Sequence, residues 1–243
     1  MKNFSFFCLL LIASLSCCTN AEKPKETSDV SLKKDSLVSE LDTFYIGQKL
    51  FTVFPASKED FDKIPEPVRC DTSEKNNLFK DSAFVTRLGG TLILNCKDKE
   101  TIVFKNNPKE GYEEYADYTY LGKIPDINQY LILGSFHESF SYLLVNPLSG
   151  DTTFICGEPV FSPDKKYFIC GNTDLIAAFV INGFDLYEIN GKKIKLVGRR
   201  ELSKWGPEKI KWIDNSSLLI ERSVLDTTKQ EMTRTDYIKL ILK

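Results

Sequence analysis

The chain has 243 residues, 42% of them hydrophobic and 27% charged, with 32 Lys+Arg against 34 Asp+Glu and a single His. Its apolar content is that of a folding chain, its balanced charge offers no basic surface for nucleic acid, and one imidazole excludes multi-His metal sites. No apolar run reaches the roughly 20 residues that a membrane-spanning helix needs, and the length suits one domain with extensions.

Met1-Lys2-Asn3 is a short positive start, and residues 4–16 are an uncharged stretch of Phe, Leu, Ile and small residues. At about 1.5 Å per residue such a stretch falls short of a hydrocarbon core about 30 Å thick, so it reads as a secretory signal. Ser14-Leu15-Ser16-Cys17-Cys18 follows. This segment resembles the lipobox of bacterial, Bacteroidota-type lipoproteins, in which small or aliphatic residues precede the Cys that is acylated. The resemblance implies residues 1–16 as signal peptide, Cys17 as lipid anchor with Cys18 as fallback, and a protein held on the outer membrane of the cell envelope. Periplasmic and surface faces both stay open. Residues 17–43 are rich in Lys, Glu, Ser, Thr and Asp and contain no aromatic residue, which is the composition of a flexible tether.

From residue 44 the chain changes to aromatic and β-branched runs split by turn residues, the pattern of an all-β, mainly antiparallel domain spanning 44–243. One exception is Ser57-Lys58-Glu59-Asp60, an N-cap with a carboxylate three residues on, which predicts a short helix over 58–64 stopped by Pro65.

The domain repeats itself. Phe161-Ser162-Pro163-Asp164 followed by Tyr167-Phe168-Ile169 matches Trp212-Ile213-Asp214 followed by Leu218-Leu219-Ile220. Pro125-Asp126 before Tyr130-Leu131-Ile132 is a looser copy, and Leu88-Gly89-Gly90-Thr91 before Leu92-Ile93-Leu94 a degenerate one. The Asp positions lie 38 and 50 residues apart, near the period of propeller blades. Second hairpins follow the two middle copies, turning at 147–150 and at Asn190-Gly191. Two hairpins per repeat predict four-stranded units. The Val-Phe-Ser-Pro-Asp run resembles the blade motif of TolB-like and WD-repeat-like β-propellers, with Lys165 where Gly is usual. The resemblance implies a partial or four-bladed propeller-like repeat and, by the habit of that family, protein binding.

Candidate chemistry is sparse. Phe-Ile-Cys-Gly occurs at 154–157 and again at 168–171, so Cys156 and Cys170 are a candidate disulfide closing a 15-residue loop, or else buried thiols. Cys spacing gives no zinc motif, and nothing indicates a cofactor or a metal. His137-Glu138-Ser139 lacks a nucleophile elbow and reads as a polar loop tip, so no catalytic residue is assigned. Tyr112, Glu113, Glu114 and Tyr115 crowd aromatics beside carboxylates and form a candidate binding surface. The expectation is a membrane-anchored envelope lipoprotein that binds a protein or glycan without catalysis. The alternative is an envelope hydrolase working through carboxylates in a propeller-like cleft.

Overall fold

Short apolar runs such as Tyr130-Leu131-Ile132 are unbroken because successive strand side chains point to opposite faces and both faces are covered. The computed structural model describes residues 41–98, 101–109, 113–191, 193–226, 228–229 and 231–243. Cys17, Cys18, the signal segment and Tyr112 lie outside the described residues.

The strands form four antiparallel sheets. Sheet I joins both ends of the domain, with β1 (Asp42–Ile46) and β2 (Lys49–Ala56) added to β14 (Trp205–Trp212), β15 (Ser217–Asp226) and β16 (Glu231–Leu242). Sheet II holds β3 (Val85–Leu88), β4 (Thr91–Leu94) and β5 (Ile102–Lys105). Sheet III holds β6 (Ala116–Ile124), β7 (Gln129–Phe136), β8 (Ser139–Val145) and β9 (Thr152–Ile155). Sheet IV holds β10 (Val160–Phe161), β11 (Tyr167–Asn172), β12 (Gly183–Asn190) and β13 (Lys193–Glu201).

Three buried clusters glue these sheets in the order II, III, IV, I. Tyr130 and Ile132 of β7 pack on Leu92 and Leu94 of sheet II, whereas Leu131 between them faces Phe168 of sheet IV. Phe168 and Cys170 in turn flank Ile169, which faces Trp212 and Ile220 of sheet I. Among the described residues no such cluster joins sheet I to sheet II, so the propeller-like units form an open fan and the ring is not closed.

The strand count departs from four per unit at both ends of the fan. Sheet II stops at three strands because Asn106 and Asn107, just past β5, are spent on the start of sheet III: Asn106 Oδ1 accepts the Tyr118 N–H and Asn107 bridges Ala116. Sheet I has five because the N-terminal hairpin pairs onto β16, placing Phe51 opposite Leu242. The domain's first strand accordingly begins at Asp42, inside the segment expected to be tether.

All four copies of the repeated turn occupy one position, the link from an edge strand (β3, β6, β10 or β14) to the strand beside it. In the second pair of copies the Asp does the turning: Asp164 Oδ1 accepts from Ser162 Oγ and Lys166 N, and Asp214 accepts from Ser216 N and Ser217 Oγ. Neighbouring turns are also cross-linked. Lys165 Nζ lies 2.9 Å from Asp126 of sheet III, and Asp164 N donates to Asn215 Oδ1 of sheet I. Lys165 itself has a φ of +57°, the left-handed region that a Gly enters without strain. Lys165→Gly should therefore change stability by no more than about 0.5 kcal/mol, since relief of strain offsets an exposed ion pair. Lys165→Val should cost about 1–2 kcal/mol in urea unfolding, because a β-branched residue tolerates that backbone least.

Residues 57–81 leave sheet I and run along the first strands of the other units. Helix α1 (Lys58–Lys63) is capped by Ser57, whose Oγ accepts the Asp60 N–H, and ends at extended Ile64 before Pro65. Its Phe61 is buried against Tyr237 of sheet I. A second helix, α2 (Glu74–Lys80), follows, to which the sequence pattern assigns no element. Glu74 Oε1 accepts from Tyr120 N of sheet III and pairs with Arg87 of sheet II, and the Tyr120 hydroxyl donates to Asp81. Gly122, at a bulge in β6 with φ +102°, lets Asn77 approach so closely that a Cβ there would lie 3.0 Å from Asn77 Oδ1. This segment is a hub touching every sheet.

Candidate functional site

The hub leaves space beside it. Residues 67–71 pass between the first strands of sheets III, IV and I, and a cleft of about 520 Å³ opens on one side of them. A smaller cavity of about 180 Å³, lined by Phe140 and Lys209 among others, shares residues 67–69 with it. The floor is apolar, with Leu121, Ile124 and Phe161, and Val68 stands fully exposed above it.

Three ion pairs border the cleft. Arg69 lies 3.2 Å from Glu158, Lys80 lies 3.4 Å from Asp71, and Lys165 lies 2.9 Å from Asp126. Glu158 also accepts the Cys70 N–H at 2.9 Å. Exposed Lys123 lines the same cleft, and among the described residues no carboxylate pairs with it. A general acid would need a carboxyl held above its ordinary range. Asp71 is moved the other way, chiefly because the Ser73 amide donates to its carboxylate. Burial, then the charge of Glu158, pushes the Cys70 thiol up to about 11, so it is no nucleophile near neutral pH.

No protein family, no curated protein and no solved structure matches the chain.

The candidate residues taken from sequence lie elsewhere. Glu113 and Glu114 are exposed and Tyr115 is half-buried, in the link from sheet II to sheet III, where the Glu114 carbonyl accepts from Asn107 Nδ2. The described part of this surface does not line the cleft. Tyr118 and Tyr120, a few residues on, face the core shared with sheet II. His137 and Glu138 form the two-residue turn between β7 and β8, with 4.0 Å between Nε2 and Oε2. Glu138 sits at φ +56° there, as a tight hairpin turn demands.

Cys156 and Cys170 come together at the interface of sheets III and IV, as thiols. Beside them is Asp185, completely buried, whose carboxylate takes a two-pronged hydrogen bond from Arg199 at 2.7 and 2.8 Å. That contact raises the Arg199 guanidinium further above its already high range. Among the described residues no group of three or more His, Cys, Asp and Glu is arranged to hold a metal.

Proposed function

We propose that this chain is a lipid-anchored protein of the bacterial cell envelope whose propeller-like domain binds a protein or glycan, without catalysis, in the cleft along residues 67–71. The observation that carries the binding half is the cleft itself: about 520 Å³, an apolar floor, and a rim of alternating cations and carboxylates. Such a rim suits recognition of a polar chain by many directed contacts, as in the few oriented polar groups of a ligand site. Three of the lining carboxylates, Asp71, Asp126 and Glu158, pair with cations and Asp81 accepts from the Tyr120 hydroxyl, rather than facing an open reacting position, which favours this over hydrolysis. The anchor half is supported by the lipobox-like Ser14-Leu15-Ser16-Cys17-Cys18 alone.

Two halves need two readouts from one experiment. Cells expressing the protein are fed radiolabelled palmitate, and the protein is then recovered from solubilised envelope with whatever it holds. The expected result is labelling that Cys17→Ser abolishes, together with a stoichiometric protein or glycan co-purifying. Labelling lost only in Cys18→Ser would move the anchor by one residue. An unlabelled wild-type protein would contradict the anchor, and recovery of the protein alone would contradict binding.

A further inference from the structure

The two copies of Phe-Ile-Cys-Gly, at 154–157 and 168–171, are laid against each other across the interface of sheets III and IV. A Cβ on Gly157 would sit 2.4 Å from the Gly171 carbonyl oxygen, so the backbones touch. Cys170 belongs to the buried cluster shared by the two sheets, Cys156 packs against that same cluster, and both thiols lie near enough to Asp185 to feel its charge. Because Cys170 and Asp185 are ladder partners, both sulfurs meet the same buried residue from opposite sheets. No other pair of cysteines in the described domain shares such a site: Cys96 donates to the Asn146 carbonyl and Cys70 lies on the hub beside Glu158.

We propose that Cys156 and Cys170 are an oxidation site, converted to a disulfide that ties sheet III to sheet IV. The oxidant is a disulfide, either a small molecule or an exchange protein. Either sulfur can react first while the chain is open. When Cys156 does, its sulfur attacks the donor, the donor S–S bond breaks, and one thiol leaves carrying the proton of Cys156. Cys170 then attacks the Cys156 sulfur of the mixed disulfide, and the second thiol leaves with the proton of Cys170. Two electrons pass from the protein to the donor, and the product closes a 15-residue loop.

Burial pushes the Cys156 thiol up to about 12 and that of Cys170 well above its ordinary value. Thiolate attack is slow under those conditions, so the bond forms while the chain is folding and both sulfurs are still open to the donor. Once made, it is shielded from reductant by the same burial.

The test uses the full-length protein, refolded once in a mixture of reduced and oxidised glutathione and once in reductant. Each sample is alkylated under denaturing, non-reducing conditions and mapped by mass spectrometry. The oxidised sample should yield a linked peptide pair containing Cys156 and Cys170, lighter by two hydrogens than the separate peptides, with Cys70 alkylated. Its thermal midpoint should exceed that of the reduced sample by roughly 5–10 °C, a difference absent from the Cys156→Ser/Cys170→Ser variant. Alkylation of both cysteines after oxidative refolding would overturn the proposal, as would a bond to Cys70. The peptide map needs only the wild-type chain, so a poorly folding variant leaves it decisive. The result is independent of palmitate labelling and of any bound partner.

Discussion

Lys211→Met is expected to lower the unfolding free energy by about 2–4 kcal/mol, one of the two largest effects of any single change considered for this fold. Lys211 is 4% exposed, and its ammonium donates to the carbonyls of Ile64 at 2.9 Å and Phe61 at 3.3 Å, pairs with Glu66 at 2.8 Å, and lies 4.3 Å from the Phe61 ring centroid. At the end of α1 the Phe61 carbonyl also accepts the Ile64 N–H, but the Ile64 carbonyl, past the last turn, has no helical N–H to satisfy it. Methionine keeps the apolar stem and removes the ammonium, so the Ile64 carbonyl loses its donor and the hub loses its polar tie to sheet I, leaving the packing of Phe61 on Tyr237. Glu66 is 61% exposed and contributes little by comparison. Glu66→Gln should therefore cost under about 1 kcal/mol. Urea unfolding of the two variants side by side makes the comparison, and equal losses would mean that the exposed charge, not the capping of α1, is what matters.

The second large effect is asymmetric. Asp185 is 0% exposed and its partner Arg199 is 49% exposed, so the two ends of one ion pair live in different media. Arg199→Ala leaves a fully buried carboxylate without its cation. The expected loss is about 2–3 kcal/mol, below the range for a wholly buried pair because water already reaches half of the guanidinium. Asp185→Asn keeps the shape and a carbonyl acceptor, while Arg199 turns to solvent, so its loss should be nearer 1 kcal/mol. Thermal or urea unfolding that ranked Asp185→Asn above Arg199→Ala would mean the interface of sheets III and IV depends on packing at Arg199 rather than on the buried charge.

Turns and strand faces were legible in the chain because their chemistry is local. Asp164 and Asp214 announce reversals by bonding amides within three residues, and Asn190-Gly191 makes a hairpin whose Gly adopts φ +61°. Ser57 capping α1 is equally local. What escaped notice is non-local. Nothing near Phe51 indicates that it will face Leu242 across a ladder, and that single pairing decides that the first hairpin completes the last sheet. Lys211 is a sharper case. It alternates with Ile210 and Trp212, so period-two reasoning sends it to solvent, and only α1 arriving from residues 58–63 buries it.

The cleft was missed for the same reason. Its residues come from the hub, β6, the link after β9 and the turn after β10, and no two of these segments advertise each other. The cluster of Tyr and Glu at 112–115 drew attention through composition, yet its described members cap a link between sheets. The Cys pair lies between these extremes. The repeated tetrapeptide marked Cys156 and Cys170 as related, but only the stacking of sheet III on sheet IV brings them to one buried Asp.

The most direct test of binding in the cleft is amine footprinting of Lys123. The intact protein is treated with an amine-reactive reagent in buffer and again in solubilised envelope extract, with exposed Lys195 on β13 as the internal reference. Occupancy of the cleft predicts that labelling of Lys123 falls at least severalfold in extract while that of Lys195 is unchanged. Equal labelling of Lys123 under both conditions would contradict the cleft as the binding site.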